Sequence, residues 1–248
     1  MKIKKTYKRE INFELAIQEY DNLLDEPLKF IQLGCNDGVL ADPIYKLIQK
    51  NKWTGLFVDA NQFYLDKCAE RYRSQYPELT AGAHWQWQQA GIITLKERRE
   101  SESSLRDFYF IEPSLIPRGK KWMNGVGSFN YNHPREHVEN KITKDENKIK
   151  KIIKTQPIKC LTINDIFNIF QYDRVDLLQT DLECWDVKII KEIEDFKYQP
   201  KFIHFEACPH QSDNIFEGEL NNNLNKMGYE LYFDTLDRDW LAVNRQMQ

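Results

Sequence analysis

The chain of 248 residues lacks a long apolar run and has only five cysteines. No apolar stretch approaches the roughly 20 residues that a membrane-spanning helix needs, so we expect no membrane span. The basic start, Met1–Lys5, is not followed by the apolar core of a secretory signal. The cysteines are scattered, form no C-x-x-C pair and leave one unpaired, which favours reduced thiols in a cytoplasmic protein.

An excess of positive charge is also missing, because the formal net charge is -3. This charge argues against a general grip on nucleic acid, and nucleic acid is not an expected partner. The exception is a local basic cluster, Arg118, Lys120 and Lys121, next to Trp122. The length fits one domain with a sizeable core, and the sequence shows no internal repeat.

One stretch organises the chain: Phe30-Ile31-Gln32-Leu33-Gly34-Cys35-Asn36-Asp37-Gly38. It reads as a buried strand that ends in a turn, where Gly34 and Gly38 would allow a ligand to approach the backbone closely. A second apolar run ends at Asp59, about 20–25 residues beyond the turn, where an acid is placed to accept hydrogen bonds from two ribose hydroxyls. Turn and acid together indicate a cofactor that contains a nucleoside.

Apolar runs and amphipathic segments alternate along most of the chain, which predicts an α/β fold: a Rossmann-like, doubly wound, mainly parallel sheet. Tyr229–Phe233 and Trp240–Val243 predict a C-terminal antiparallel hairpin. We expect a single domain over residues 1–248, with 97–156 as an inserted, loop-rich cover on the substrate side. Residues 1–13 look like a loose arm, and the lysine-rich 140–154 reads as a solvated helix.

Smaller signals mark where helices begin. Asp42 followed by Pro43 predicts an N-cap and a first-turn proline. Thr162, with Asp165 three residues later, predicts a second capped start.

Acidic residues follow the predicted strands that come after the insertion. Asp181 and Glu183 follow one strand, and Glu206 with His210 follows the next. Because parallel strands end at the same edge, these carboxylates should lie close together, so a pKa should rise or a cation should bind. Either outcome helps to take a proton from a hydroxyl. Asp186 is more simply read as an acid in the first turn of a helix.

Phe30–Gly38 resembles the first motif of the class I S-adenosylmethionine-dependent methyltransferases. More narrowly, three blocks resemble the FkbM-type methyltransferases of this class: Trp53–Asn61, Val175–Glu183 and Pro200–Glu206. The "P-x-x-I-x-F-E" pattern is matched, and the "D-L-L-x-x-D-x-E-G" pattern is matched except at its last position, where this chain has Cys184 and the family commonly has glycine. The Asp59 position usually holds Glu in the family, and Gly125–His137 resembles the insertion segment of some members.

The resemblance implies an O-methyltransferase, dependent on S-adenosyl-L-methionine, that acts on a hydroxyl of a small molecule or glycan of sugar or polyketide type. The turn would hold the methionine end, Asp59 the ribose, and Gln89 with Ala90 the adenine. The candidate cofactor residues are Gln32, Gly34, Asn36, Asp37, Gly38, Asp59, Ala60, Asn61, Gln89, Ala90 and Asp181. The candidate catalytic residues are Asp181, Glu183, Glu206, His137 and His210.

Several alternatives stay open. Mg²⁺ could bind Asp181 and Glu206 and lower the pKa of a substrate hydroxyl. A nucleic-acid methyltransferase would use the basic cluster for phosphate and Trp122 to stack a base. A nucleotide-dependent oxidoreductase would prefer G-x-G-x-x-G, which the turn does not match. A non-catalytic binding module fits the acidic strand ends poorly. The identity of the acceptor and the oligomeric state are not readable from the sequence.

Overall fold

The computed structural model describes residues 9–40, 42–81, 84–208, 211, 215–216, 218–236 and 239–246. These residues form two β-sheets, the larger with helices on both faces. The strands are β1 (Glu10–Ile11), β2 (Lys29–Leu33), β3 (Thr54–Asp59), β4 (Trp85–Gln89), β5 (Gly91–Ile92), β6 (Leu105–Ile111), β7 (Gly127–Ser128), β8 (Ile153–Leu161), β9 (Leu177–Thr180), β10 (Phe202–Phe205), β11 (Tyr229–Asp234) and β12 (Trp240–Asn244).

The helices lie between these strands. The α-helices are α1 (Phe13–Asp21), α2 (Tyr45–Asn51), α3 (Gln62–Gln75), α4 (Pro77–Ala81), α5 (Leu95–Glu100), α6 (Asn132–Lys141), α7 (Glu146–Ile152), α8 (Ile163–Ile169), α9 (Asp186–Ile190) and α10 (Glu219–Lys226). Three 3₁₀ segments are Pro113–Leu115, Arg118–Asn124 and Ile193–Asp195. No helix of the described residues is long and apolar enough to cross a membrane.

The larger sheet has eight strands in the order β1-β11-β12-β10-β9-β2-β3-β4. The five strands β4, β3, β2, β9 and β10 run parallel to one another, and β12 runs antiparallel to both β10 and β11. The doubly wound, mainly parallel sheet and its C-terminal hairpin are therefore confirmed. The order reverses between β2 and β9, and in such sheets a ligand crevice opens beyond the strand ends at this point.

Alternation along β2 explains why the sheet carries helices on both faces. Ile31 and Leu33 belong to a core that includes Phe167 of α8, while Phe30 belongs to another that includes Phe13 of α1. Successive residues of a strand point to opposite faces of the sheet, so β2 contributes to both cores. All of these side chains are buried. Burial on both faces fixes the strand register and hence the position of the turn that follows.

The predicted helix start at Thr162 is confirmed by its capping bonds, whereas α2 begins only at Tyr45, so Pro43 precedes this helix and does not lie in its first turn. The Asp42 carboxylate accepts the backbone N–H groups of Ile44 at 2.9 Å and Tyr45 at 3.1 Å. The Thr162 hydroxyl accepts the N–H of Asp165 at 3.2 Å, while the Asp165 carboxylate accepts the N–H of Thr162 at 2.9 Å. Both residues satisfy N–H groups that a helix start otherwise leaves without partners.

Residues 97–156 contain more regular structure than their glycines and prolines suggest. The strands β5, β8, β6 and β7 form a second sheet in that order, and β6 pairs with β8 along its whole length. We call this four-stranded sheet the upper sheet. A separate apolar cluster joins Ile111 and Ile153 of this sheet to Met123, Val138 and Ile149. Of the lysine-rich residues 140–154, expected to form one solvated helix, residues 146–152 form α7, which buries Ile149 and Ile152 and exposes its lysines. The expectation is wrong at both ends, because residues 140–141 end α6 and residues 153–154 begin β8.

The expectation of a loose arm is wrong for residues 9–11. Glu10 and Ile11 form a parallel pair with Phe233 and Asp234 of β11. Residues 1–8 lie outside the described part. The short strand forms because the edge of β11 offers unpaired backbone groups.

The expectation that all cysteines are reduced is also wrong, since Cys184 and Cys208 form a disulfide with their Cα atoms 5.3 Å apart. The free cysteines, Cys35, Cys68 and Cys160, are buried. The two bonded residues are 24 positions apart in the chain. They meet because each follows the end of one of two paired strands, β9 and β10.

Candidate active site

The turn after β2 lies directly against the loop after β9. Gly34 has a φ of +79°, and a Cβ at this position would collide with the carbonyl oxygen of Asp181. The backbone N–H of Asp181 donates to the carbonyl of Leu33 at 2.9 Å. Only glycine fits a left-handed turn with this little space. The glycine therefore brings the predicted cofactor turn and the predicted acidic strand end together.

Asp59 is fixed by the backbone of two neighbouring segments. Its carboxylate accepts the N–H of Asn36 at 2.8 Å and the N–H of Asn61 at 2.7 Å. Burial raises the pKa of Asp59 to about 6, and these two hydrogen bonds act in the opposite direction. The acid predicted to bind a ribose thus also holds the cofactor turn at a defined distance from β3.

The edge where these segments meet opens into one cleft with two chambers. Both chambers are lined by Gly34, Asp59, Phe108, Gly125, Gly127, Asp181 and Glu183. The apolar chamber adds Val58, Ala60, Ala90, Gly91, Ile92, Ser128, Phe129, Leu182 and Trp185. The polar chamber adds Asn36, Asn61, Tyr64, Phe110 and Asn124. Asp59 therefore lies at the junction between an apolar compartment and a polar one.

The upper sheet forms one wall of this cleft. A Cβ on Gly127 would collide with the ring of Phe108, and one on Gly91 would collide with the ring of Phe129. The rings of Phe108 and Phe129 contact each other edge to face, with centroids 5.7 Å apart. Because the two glycines have no side chains, both aromatic rings can pack close to the backbone at the cleft.

The acidic residues after β9 and β10 cluster as predicted. Thr180 pairs with Phe205, so Asp181 and Glu206 each follow the last residue of neighbouring parallel strands. Burial, followed by the charges of Glu206 and Glu183, raises the pKa of Asp181 well above its usual value. Burial and the charges of Glu183 and Asp186 raise the pKa of Glu206 to about 7. A pKa near 7 suits a residue that acts as a general base at neutral pH, so Glu206 is a candidate for this role.

A histidine of α6 contacts the acid cluster, which we define as Asp181, Glu183 and Glu206. His133 Nε2 lies 3.0 Å from Glu183 Oε2, and this hydrogen bond raises the pKa of His133. The ring of His137 contacts the His133 ring at 5.0 Å, and burial lowers the pKa of His137. Trp122 in turn contacts the His137 ring at 5.6 Å. A row of rings therefore leads from the surface to Glu183.

The predicted site residues divide into two groups. Gly34, Asn36, Asp59, Ala60, Asn61, Ala90, Asp181 and Glu183 line the cleft. Among the others, Asp37 accepts the N–H groups of Val39 at 3.1 Å and Leu40 at 2.9 Å, so it holds the turn from outside. A Cβ on Gly38, with its φ of +71°, would press against Cys68 rather than face the cleft.

Glu206 and His137 line neither chamber. Two glutamines and one further histidine complete this comparison. Gln32 is buried in β2 and lines neither chamber. The amide of Gln89 donates to the carbonyl of Ala60 at 3.2 Å and so supports the cleft wall. His210 lies outside the described residues.

His133 and the aromatic residues of the cleft were not predicted. His133 and His137 are four positions apart in α6, so one helix face carries both. That spacing was a signal that could have pointed to His133. Phe108 and Trp185 offered none, because aromatic residues in apolar surroundings are more often simple core residues. Asp186 accepts the N–H of Leu182 at 3.0 Å and is fully buried, which fits a role in holding the turn.

Buried polar atoms at the cleft fit a polar ligand. The side-chain oxygen of Asn36, the Tyr64 hydroxyl and the indole N–H of Trp185 have no hydrogen-bond partner among the described residues. Such atoms cost free energy unless a ligand or water satisfies them. A nucleoside ligand with a zwitterionic end fits this donor and acceptor set. Within the described ranges, no group of three or more His, Cys, Asp or Glu side chains could hold a metal ion, so Mg²⁺ is unsupported.

Comparison with known proteins gives a family match. The model of the methyltransferase FkbM domain matches residues 32–231. None of the curated proteins matches the chain. Among solved structures, the "METTL16 MTase domain" aligns with a TM-score of 0.44 and 9% identity, over 92% of this chain and 64% of that one. Monomeric WbdD aligns with a TM-score of 0.44 and 10% identity, over 97% and 47% of the two chains. M. capricolum TrmK, in complex with S-adenosyl-homocysteine, aligns with a TM-score of 0.37 and 12% identity, over 95% and 69%.

Proposed function

Because the chain belongs to the FkbM methyltransferase family, we propose that it is an S-adenosylmethionine-dependent O-methyltransferase acting on a hydroxyl of a small molecule or glycan, of sugar or polyketide type. One observation carries the proposal. A carboxylate fixed by two backbone N–H groups, Asp59, stands between an apolar and a polar chamber, and an acid cluster borders both. The order of apolar chamber, Asp59 and polar chamber fits a ligand that consists of an aromatic base, a ribose and an amino acid.

The linings of the two chambers support the proposed placement of the cofactor. Ala90 and Ile92 of the apolar chamber would contact the adenine, and Asp59 would accept hydrogen bonds from the ribose hydroxyls. Asn36 and Tyr64 of the polar chamber would meet the amino acid end, where their unpartnered oxygens find donors. The elongated ligand would then pass Asp181 near its middle, since Asp181 lines both chambers.

The acid cluster would prepare the acceptor hydroxyl. S-adenosylmethionine supplies an electrophilic methyl group on a sulfonium cation. The protein has to align the hydroxyl with that group and remove its proton. Asp181, Glu183 and Glu206 are the candidates, and burial raises the pKa of Glu206 to about 7, a value that suits proton transfer at neutral pH. A bound cation beside these carboxylates would favour their charged forms.

The test combines binding with turnover. Calorimetry should show that the chain binds S-adenosylmethionine and S-adenosylhomocysteine, and that NAD does not compete. A panel of sugars and polyketide alcohols, incubated with labelled S-adenosylmethionine, should yield a methyl ether on at least one acceptor. Turnover unchanged by EDTA would support a metal-free base, and loss restored by Mg²⁺ would support the metal alternative. Binding of NAD alone would overturn the proposal.

A nucleic-acid acceptor is the second candidate, and one observation favours it. Trp122 is 45% exposed, follows Arg118, Lys120 and Lys121, and connects through His137 to the acid cluster. An exposed aromatic ring beside cations can stack a base next to a phosphate. Methylation of single-stranded RNA or DNA that weakens steeply with salt, in the absence of turnover on sugars, would select this candidate.

A further inference from the structure

The loops that carry the acid cluster are joined beyond the end of their strands. The ladder between β9 and β10 ends with the N–H of Glu206, which donates to the carbonyl of Thr180 at 3.4 Å. Past this point the Cys184–Cys208 disulfide connects the loops. Cys184 directly follows Glu183, and Cys208 lies two positions after Glu206. The cross-link therefore sits immediately behind two of the three clustered acids.

One side chain makes a second connection at the same place. The amide of Gln211 donates to the carbonyl of Cys184 at 3.2 Å and accepts the N–H of Cys208 at 3.1 Å. Gln211 thus bridges the backbones of the two bonded cysteines. The two loops are therefore joined by a disulfide and by two hydrogen bonds of the Gln211 side chain.

The backbone at this link has an unusual conformation. Glu183 has a φ of +49° and Cys184 a φ of +73°, so two consecutive residues with side chains lie in the left-handed region. Residues other than glycine adopt this region only when the surrounding structure holds them there. A backbone conformation that glycine adopts most easily is therefore occupied here by a residue whose side chain forms the cross-link.

We propose that the Cys184–Cys208 disulfide is a positioning element that holds Glu183 in its left-handed conformation, with its carboxylate directed to His133 and the cleft. The importance for catalysis rests on the proposed methyl transfer at this cleft, whereas the positioning itself does not. Glu183 lines both chambers and lies 3.0 Å from His133. Cutting the cross-link would allow residues 183 and 184 to relax toward ordinary backbone angles and would withdraw the carboxylate.

The cross-link can be opened by a dithiol such as dithiothreitol. One thiolate attacks a sulfur of the disulfide, the second closes the reagent into its own cyclic disulfide, and Cys184 and Cys208 each leave as a thiol. The dithiol supplies the two electrons that reduce the protein and is itself oxidised to the cyclic disulfide. Alkylation of the unfolded chain should label three thiols before treatment and all five afterwards, because three cysteines are free.

His133 provides a readout that does not need an acceptor. Its ring lies against Glu183 and His137, and the charges of Glu206 and Glu136 also reach it. The hydrogen bond that its ring donates to the Glu183 carboxylate is the main cause of the raised pKa of His133. Proton NMR titration of the histidine ring signals, with His133 assigned by its loss in His133→Gln, therefore reports whether the Glu183 carboxylate is in place.

Three double variants separate the bond from the backbone conformation. Cys184→Ala with Cys208→Ser removes the cross-link and leaves a side chain at residue 184. Cys184→Gly with Cys208→Ser removes the cross-link but restores a residue that tolerates a positive φ. Cys184→Ser with Cys208→Ser serves as the reductant control, since its titration and turnover should not respond to dithiothreitol. Reduced wild-type protein replaces the alanine pair if that pair does not fold.

We expect the alanine pair and reduced wild-type protein to move the His133 pKa toward its ordinary value and to lower turnover at least tenfold. The glycine pair should recover most of both. An unchanged His133 pKa in the alanine pair, an equal loss in the glycine and alanine pairs, or five reactive thiols in untreated protein would each overturn the proposal. If His133 responds as expected but no form binds S-adenosylhomocysteine, the proposed function fails and the positioning role stands.

Discussion

At the scale of single residues, Asp59 holds the backbone of the site and is the residue that we propose to bind the ribose. Its carboxylate accepts the N–H groups of Asn36 and Asn61, and the residue lines both chambers. A change of this residue would therefore remove the proposed ligand contacts and loosen the turn together. The same reasoning distinguishes it from Asp37, which also holds the turn but lies outside the cleft.

We expect Asp59→Ala to weaken binding of S-adenosylhomocysteine by about 10-fold or more. Each lost ribose hydrogen bond costs about 0.5–1.5 kcal/mol, and about 1.4 kcal/mol corresponds to a factor of ten. Calorimetry measures the affinity. Asp145→Ala is the matched control, because Asp145 accepts two backbone N–H groups at the start of α7 and does not line the cleft. Equal affinities of wild-type and Asp59→Ala protein would contradict the placement of the ribose.

We expect Asp181→Asn to reduce turnover by about 10²–10⁴-fold if Asp181 takes the proton, since general-base catalysis contributes about that much. The amide has nearly the same shape but cannot accept a proton at neutral pH. Glu206→Gln provides the parallel measurement, because only the acting base should show the full loss. Glu219→Gln, an exposed acid paired with Lys191 at 2.8 Å, is the control. Full activity in both Asp181→Asn and Glu206→Gln would exclude these two acids from the mechanism.

The nearness of Asp181 and Glu206 could be predicted because parallel strands bring their ends to one edge, and each acid directly follows an apolar run. His133 and Cys208 could not be placed in the same way. His133 reaches Glu183 from a segment 50 positions earlier in the chain, and no repeating pattern connects the two. The disulfide required the three-dimensional path of both loops, because a spacing of 24 residues is compatible with many geometries.

At the scale of elements, the upper sheet is part of the cleft rather than a loose lid above it. Phe108 and Gly127 line both chambers and belong to β6 and β7. The regular pairing of β6 with β8 was not evident from the sequence, because the glycines and prolines between them dominate the local pattern. We propose that the segment carrying these strands selects the acceptor, and that its 3₁₀ segment, Arg118–Asn124, forms the outer rim.

We expect Trp122→Ala to lower turnover on the true acceptor several-fold while affinity for S-adenosylhomocysteine stays within about twofold. Trp122 lines neither chamber, but its ring contacts His137 next to the acid cluster. Losing an exposed aromatic platform should affect an acceptor more than a cofactor. Comparison of kcat/KM with calorimetry separates the two effects, and Leu115→Ala, another exposed apolar residue of the segment, is the control. Unchanged kcat/KM would exclude Trp122 from acceptor binding.

At the scale of the whole molecule, the cleft places several carboxylates where burial raises their pKa values. Asp59 is raised to about 6 and Glu206 to about 7, and Asp181 is raised as well. In the unfolded chain such groups titrate near 4. Between these values the native state binds more protons than the unfolded state, so the free energy of unfolding decreases as pH rises.

We therefore expect the protein without cofactor to lose stability between about pH 4 and pH 7. Glu206 alone would contribute on the order of 2–3 kcal/mol, since one pKa unit corresponds to about 1.4 kcal/mol. The raised pKa of His133 acts in the same direction, because its charged native form is lost as pH rises. Urea unfolding at a series of pH values measures the slope, which Glu206→Gln should flatten and Glu219→Gln should leave nearly unchanged. Stability that increases with pH across this range would contradict the raised pKa values.

The short strand β1 has a consequence for how copies of the protein behave together. Its residues occupy the outer edge of β11, where Phe233 N–H donates to the Arg9 carbonyl at 2.9 Å and Thr235 N–H donates to the Ile11 carbonyl at 3.1 Å. An uncovered edge strand is a template for pairing with another chain. A variant cut before Phe13 would present this edge to its neighbours, so two sheets could join into one across a pair of molecules. Glu10 and Ile11 thus cover a strand edge that could otherwise pair with another copy of the protein. They do so from the end of the sheet, several strands away from the cleft between β2 and β9.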